Sequence, residues 1–117
     1  MKKIVLVLTL LVTTVTFAQE KNAKAAIEVD GVCGMCKARI EKACIKTKGV
    51  KFANWSIETH ELNLIFDETK TNLETIKQNI ANVGHDTKEI KATEQAYNSV
   101  NACCKYRDKK VVEDHKN

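Results

Sequence analysis

The 117 residues contain no proline, which excludes any site shaped by a cis-X-Pro turn. Glycine is nearly as scarce, with four residues, and no phosphate-cradling loop can be drawn through them. Carboxylate pairs, a serine triad and an H-x-x-x-H pattern are missing as well, so no catalytic constellation stands out and the chain reads as a non-enzyme. Aromatic residues make up 5% of the chain and the lysines are interspersed with acids, which argues against a nucleic-acid surface. Beyond the first twenty residues no apolar run is long enough to cross a bilayer.

What is present begins with an export signal. Lys2 and Lys3 precede an apolar stretch from Ile4 to Val12, and small and polar residues lead to Thr16-Phe17-Ala18, the layout of a secretory signal peptide over residues 1–18. Cleavage after Ala18 leaves 99 of the 117 residues, enough for one core but not for a deep cleft framed by a second lobe. Nineteen basic residues less Lys2 and Lys3 leave seventeen against fifteen acids, a net charge of about +2. The expectation is an exported protein, periplasmic rather than secreted outright, with no membrane insertion after signal cleavage.

Cysteine is abundant, with five residues. Cys33 and Cys36 form a C-x-x-C pair, Cys44 stands alone, and Cys103 and Cys104 are adjacent. Outside the cytoplasm paired thiols tend to become disulfides. An odd count leaves at least one thiol over.

Hydrophobic periodicity divides the exported part into a polar leader (19–24), one domain (25–92) and a charged, cysteine-containing C-terminal extension (93–117). Ala25, Ile27 and Val29 alternate as in a half-buried strand, which Asp30-Gly31 breaks. From Cys36 the period changes, with Ile40, Ala43, Cys44 and Thr47 on one helical face and Lys37, Arg39, Lys42 and Lys46 on the other. Strands follow at 50–57 and 61–67. Thr71-Asn72-Leu73-Glu74 reads as a capping box before a helix with Leu73, Ile76, Ile80 and Val83 on its apolar stripe. A last strand is expected at 86–91. This order predicts an α+β, ferredoxin-like βαββαβ sandwich, a four-stranded antiparallel sheet with two helices on one face. For the extension a short helix or turn followed by disorder is expected.

The segment Val29-Asp30-Gly31-Val32-Cys33-Gly34-Met35-Cys36-Lys37-Ala38-Arg39-Ile40-Glu41-Lys42-Ala43, with Gly49-Val50 downstream and Val83-Gly84-His85-Asp86 before the last strand, resembles the heavy-metal-associated domain family. That family includes copper chaperones, the periplasmic mercury-binding protein and modules of metal-pumping ATPases. The resemblance covers about Ala25 to Lys91 and implies the same ferredoxin-like fold. It also implies that Cys33 and Cys36 are metal ligands, that the cargo is a soft ion, and that the acceptor is a metal-transporting ATPase or another C-x-x-C-bearing protein. The sequence departs from the family's Gly-Met-x-Cys-x-x-Cys motif in one respect: Cys33 follows Gly31-Val32 directly, so the loop is one residue shorter. Val32 then takes the packing place of the usual methionine, and Met35 falls between the two cysteines.

The residues themselves support the same chemistry. Cys33 and Cys36 lie where a strand gives way to a helix, so unpaired N–H groups and the positive end of the helix dipole favour thiolate. Lys37 and Arg39 add positive charge nearby. Two thiolates select soft ions: Cu(I) first, with Hg(II) or Ag(I) accepting the same near-linear pair, whereas Zn(II) normally requires four ligands. His85, Met35, Cys103 and Cys104 are candidate additional ligands. For the adjacent pair, three readings compete: a second soft-metal site, extra ligands folding back to Cys33 and Cys36, or disulfide partners, though adjacent cysteines bond each other only with strain. Cys44 reads as a core residue, and His60 and His115 as solvated. Two alternatives belong to other classes. Cys33-Gly34-Met35-Cys36-Lys37 resembles the Cys-Gly-x-Cys-Lys of thioredoxin-like oxidoreductases, but the chain lacks both their cis-proline loop and an aromatic residue before the motif. The other is a structural module whose cysteines are all disulfides.

Overall fold

The computed structural model describes residues 19–116, so the signal-peptide reading of 1–18 lies outside the described residues. Strand β1 (Ala23–Glu28) alternates as its composition requires, with Ala23, Ala25 and Ile27 turned inward. It begins two residues before the expected start. Helix α1 (Gly34–Lys46) buries Cys36, Ile40, Ala43 and Cys44, the face its period marks out. Strands β2 (Val50–Trp55) and β3 (Glu61–Phe66) form a hairpin, and Leu62, Leu64 and Phe66 of β3 all enter the core. Helix α2 (Leu73–Asn82) contributes Ile76 and Ile80. Its N-cap is Asn72 rather than Thr71: the Asn72 side chain accepts the Thr75 N–H at 2.8 Å.

Among the described residues the sheet has three strands, in the order β1-β3-β2, all antiparallel. The expected fourth strand is reduced to a single bridge between Val29 and Thr87. Local bonds explain its loss, because they consume the groups a ladder would use. Thr87 N–H donates to the Ile90 carbonyl (2.9 Å), and Ile90 N–H donates to Thr87 Oγ1 (3.2 Å). Ala92 N–H donates to the Asp86 carboxylate at 2.7 Å.

The extension also differs from expectation, being folded through residue 116 rather than giving way to disorder. It contains α3 (Glu94–Asn98), a 3-10 turn (Ala102–Cys104) and α4 (Lys109–Asp114). Val100 and Cys104 join the hydrophobic core, and Tyr106, Val111 and Val112 pack against it. Gly84 makes this return possible. It ends α2 at φ +103°, and a Cβ there would stand 2.6 Å from both the Ala96 carbonyl oxygen and Val100 Cγ1. Tyr106 then donates its hydroxyl to the Gly84 carbonyl at 2.7 Å. Arg107 binds both oxygens of Asp86 (2.7 and 3.1 Å) and the Ala92 carbonyl (3.0 Å), a forked, charge-assisted contact. Two more helices therefore stand beside the pair the sequence predicts. Among the described residues no helix is long and apolar enough to cross a membrane.

Candidate metal centre

The turn from β1 into α1 is shaped by Trp55, which is fully buried and donates its indole N–H to the Val29 carbonyl at 3.0 Å. Its ring lies over Gly31, where a Cβ would be 2.9 Å from the indole and 3.1 Å from the Cys36 Cβ. With no side chain in the way, the chain passes under the ring and delivers Cys33 to the N-cap position of α1. Val32 is buried in the core, the place expected for it.

Cys33 is the hub of a sulfur cluster. Its Sγ lies 3.7 Å from that of Cys36, 3.6 Å from Cys103 and 3.4 Å from Cys104, while Cys103 and Cys104 are 3.9 Å apart. Cys33, Cys103 and Cys104 lie mutually within 4.8 Å, close enough to share one ion. Met35 completes the group: its Sδ accepts the Cys103 thiol at 3.4 Å. The extension folds back and sets Cys103 and Cys104 beside Cys33 of the C-x-x-C pair. Cys36 and Cys104 are fully buried, whereas Cys33, Cys103 and Met35 retain a solvent-facing edge.

The electrostatics of this cluster are asymmetric. Burial raises the Cys33 thiol, but the N–H groups of Cys36 and Met35 and the thiols of Cys104 and Cys103 outweigh it and bring it down to about 7. No full capping bond is closed, so these N–H groups act as partial charges near the sulfur. Cys103 is pushed up to about 11, first by its side-chain contact with Cys33 and then by burial. Burial pushes Cys104 up to about 12, against a lowering contact from Arg39. Cys33 is thus the most acidic of these three thiols. Sulfurs at ~2.3 Å from one ion stand about 3.8 Å apart in a tetrahedron and about 4.6 Å apart in a linear pair. The separations of Cys103 (3.6 Å) and Cys104 (3.4 Å) from Cys33, and 3.9 Å between them, suit three sulfurs around one ion, and an all-sulfur donor set suits a soft ion.

Residues 26–86 match the sequence profile of the heavy-metal-associated domain. The chain belongs to that family. It is 33% identical over 67 residues to the copper chaperone CopZ of Staphylococcus saprophyticus, covering 56% of this chain and 98% of that one. It is also 33% identical over 91 residues to a copper-exporting P-type ATPase of Bacillus subtilis, covering 77% of this chain but only 11% of the ATPase. Among solved structures, a CopZ metallochaperone superposes with a TM-score of 0.54 at 27% identity, covering 56% of this chain and 98% of that one. The heavy-metal-associated domain therefore carries Cys33 and Cys36, while Cys103 and Cys104 lie beyond its matched span.

The other sequence candidates fall elsewhere. His85 is fully buried with both ring nitrogens engaged: Nδ1 donates to the Asp30 carbonyl at 2.8 Å, and Nε2 faces the Arg39 guanidinium at 3.2 Å. It stacks on Tyr106, with centroids 5.4 Å apart, and stands outside the sulfur group. Burial, opposed by the Asp30 carbonyl bond and aided by Arg39, holds it down to about 4, so it is a neutral linker between the domain and its extension. Lys37 turns away from the sulfurs to Glu41, Asn54 and the Trp55 carbonyl. Arg39 does approach them, and donates to Asn101 at 2.7 Å. Cys44 is a core thiol, raised to about 12 by burial and by Glu41. His60, expected to be simply solvated, stacks on Trp55 at 5.5 Å. Sequence reasoning missed Asn101, Tyr106 and Arg107, whose signal was faint: two tyrosines and a lone arginine around an unexplained cysteine pair.

Proposed function

We propose that this chain is an exported carrier or buffer of Cu(I), which it holds through the thiolates of Cys33 and Cys36 and passes on by ligand exchange. The observation that carries the reading is a C-x-x-C pair at the start of α1, inside the matched family span, with Cys33 poised as thiolate. Relatives named as a copper chaperone and a copper-exporting ATPase support copper over other soft ions. Hg(II) and Ag(I) fit the same sulfurs, whereas Zn(II) would need a fourth ligand beside Cys33, Cys103 and Cys104. A metal-transporting ATPase or another C-x-x-C-bearing acceptor is the partner this chemistry calls for, since an incoming thiolate can add before an outgoing one leaves. No change of oxidation state is needed; thiol protons lost on binding pass to solvent. Export to the periplasm rests on Lys2, Lys3, the apolar stretch and Ala18.

The test is an anaerobic Cu(I) titration of the reduced protein lacking residues 1–18, against a competing chelator. One tightly held ion is expected, with a loss of at least about a hundredfold in affinity for Cys33→Ser/Cys36→Ser, equivalent to about 2.7 kcal/mol. Equal affinity in that variant and in the unsubstituted protein rules the reading out.

A further inference from the structure

Resting on the proposed metal-carrier reading, we infer that the C-terminal extension is an intramolecular strap that supplies Cys103 and Cys104 as further ligands, so that the ion at Cys33 is enclosed by at least three sulfurs. The strap is placed rather than draped. Arg107 forks onto Asp86, Tyr106 is tied to the Gly84 carbonyl, and Tyr97 packs edge-on against Tyr106 at 5.1 Å while Arg107 lies over its ring at 4.3 Å. Gly84 leaves the space for Ala96 and Val100 that lets the turn at Ala102–Cys104 reach α1. The result is three Sγ atoms, from residues seventy positions apart in sequence, within 4.8 Å of one another.

Such enclosure changes what the site does. A two-cysteine site at the tip of a domain leaves room for an acceptor's thiolate to attack. Here Cys103 and Cys104 already occupy the attacking positions, and Cys36 and Cys104 are closed to solvent. An acceptor must approach by the remaining edge, formed by Cys33, Cys103 and Met35, and displace Cys103 as the ion moves. In that step one metal–sulfur bond to the acceptor forms, one to Cys103 breaks, and Cys103 regains a proton from solvent. The strap is thus an internal competitor with the acceptor, favouring retention over delivery.

The experiment is X-ray absorption at the copper edge on the protein lacking residues 1–18, loaded with one equivalent of Cu(I), which needs no substitution and so does not depend on a variant folding. At least three sulfurs at a single three-coordinate distance are expected. Two sulfurs at the shorter distance of a linear site overturn the inference while leaving Cu(I) binding by Cys33 and Cys36 intact. Competition titrations then compare Cys103→Ser/Cys104→Ser and Arg107→Gln with the unsubstituted protein. The first is expected to bind at least about tenfold more weakly, and the second to fall between. Unchanged affinity in Cys103→Ser/Cys104→Ser also overturns it. Failure of the metal-carrier reading is distinguishable, because there Cys33→Ser/Cys36→Ser shows no loss either.

Discussion

The domain at 26–86 and the strap that follows it are held by different forces. The domain closes around Ile40, Trp55, Leu62, Leu64, Ile76 and Ile80, all fully or nearly fully buried. Each such side chain contributes roughly 1.5 to 3 kcal/mol of transfer free energy. The strap adds Val100 and Cys104 to that core but depends on directed contacts: Arg107 with Asp86, Tyr106 with Gly84, Asn101 with Arg39. Apolar burial is diffuse and tolerates small shifts, whereas forked ion pairs are tied to one geometry and lose their strength when water enters. From this difference we expect the strap to open before the domain unfolds, with the sulfur cluster on the boundary between them.

Substitutions can break this contrast, starting with the largest effect. Trp55→Ala removes the ring that roofs Gly31 and the indole bond to Val29, and is expected to destabilise the whole chain by about 3 to 5 kcal/mol in denaturant unfolding. Next comes pH. His85 is held down to about 4, below its ordinary value of 6.5, so the unfolded chain takes up its proton first. The stability it contributes is complete above about pH 6.5 and is lost as pH falls toward 4, on the order of 3 kcal/mol in total. His85→Gln, which keeps one donor and one acceptor, should flatten the stability profile across that window. Arg107→Gln removes the fork onto Asp86 and should cost about 2 kcal/mol, seen mainly as faster amide exchange in 93–116 with the strands of the domain little changed. Met35→Leu is the smallest: Met35 is 48% exposed and touches only the Cys103 thiol among the hydrogen-bonded groups, so Cu(I) affinity should shift by less than about 1 kcal/mol.

The same boundary separates what was legible in the sequence from what was not. The faces of α1 and α2, the hairpin, and Cys33 and Cys36 at a strand-to-helix junction follow from short-range periodicity and spacing. The fourth strand was misread because 86–91 has strand-like composition, while Thr87 and Ile90 satisfy each other locally and Asp86 is claimed by Ala92 and Arg107. Periodicity could not choose the fold-back of the extension over the other two readings of Cys103 and Cys104, for a related reason. The extension's hydrogen bonds and sulfur contacts to the domain span 15 to 71 residues in sequence, and its apolar residues are too few and too scattered for a local period to announce them. His85 shows the same limit: its position after Gly84 was plain, but that both its nitrogens are spoken for depends on Asp30 and Arg39 arriving from other elements.

The most direct measurement of how the two regions meet is amide hydrogen exchange of the reduced protein lacking residues 1–18, with and without one equivalent of Cu(I). The expected result is a marked gain of protection on copper binding in Val100 to Arg107 and at the start of α1, with β1 and β3 unchanged, because an ion shared by Cys33, Cys103 and Cys104 ties the strap to the domain. Protection that rises around Cys33 and Cys36 alone, with 100–107 exchanging as before, would contradict a site that the two regions share.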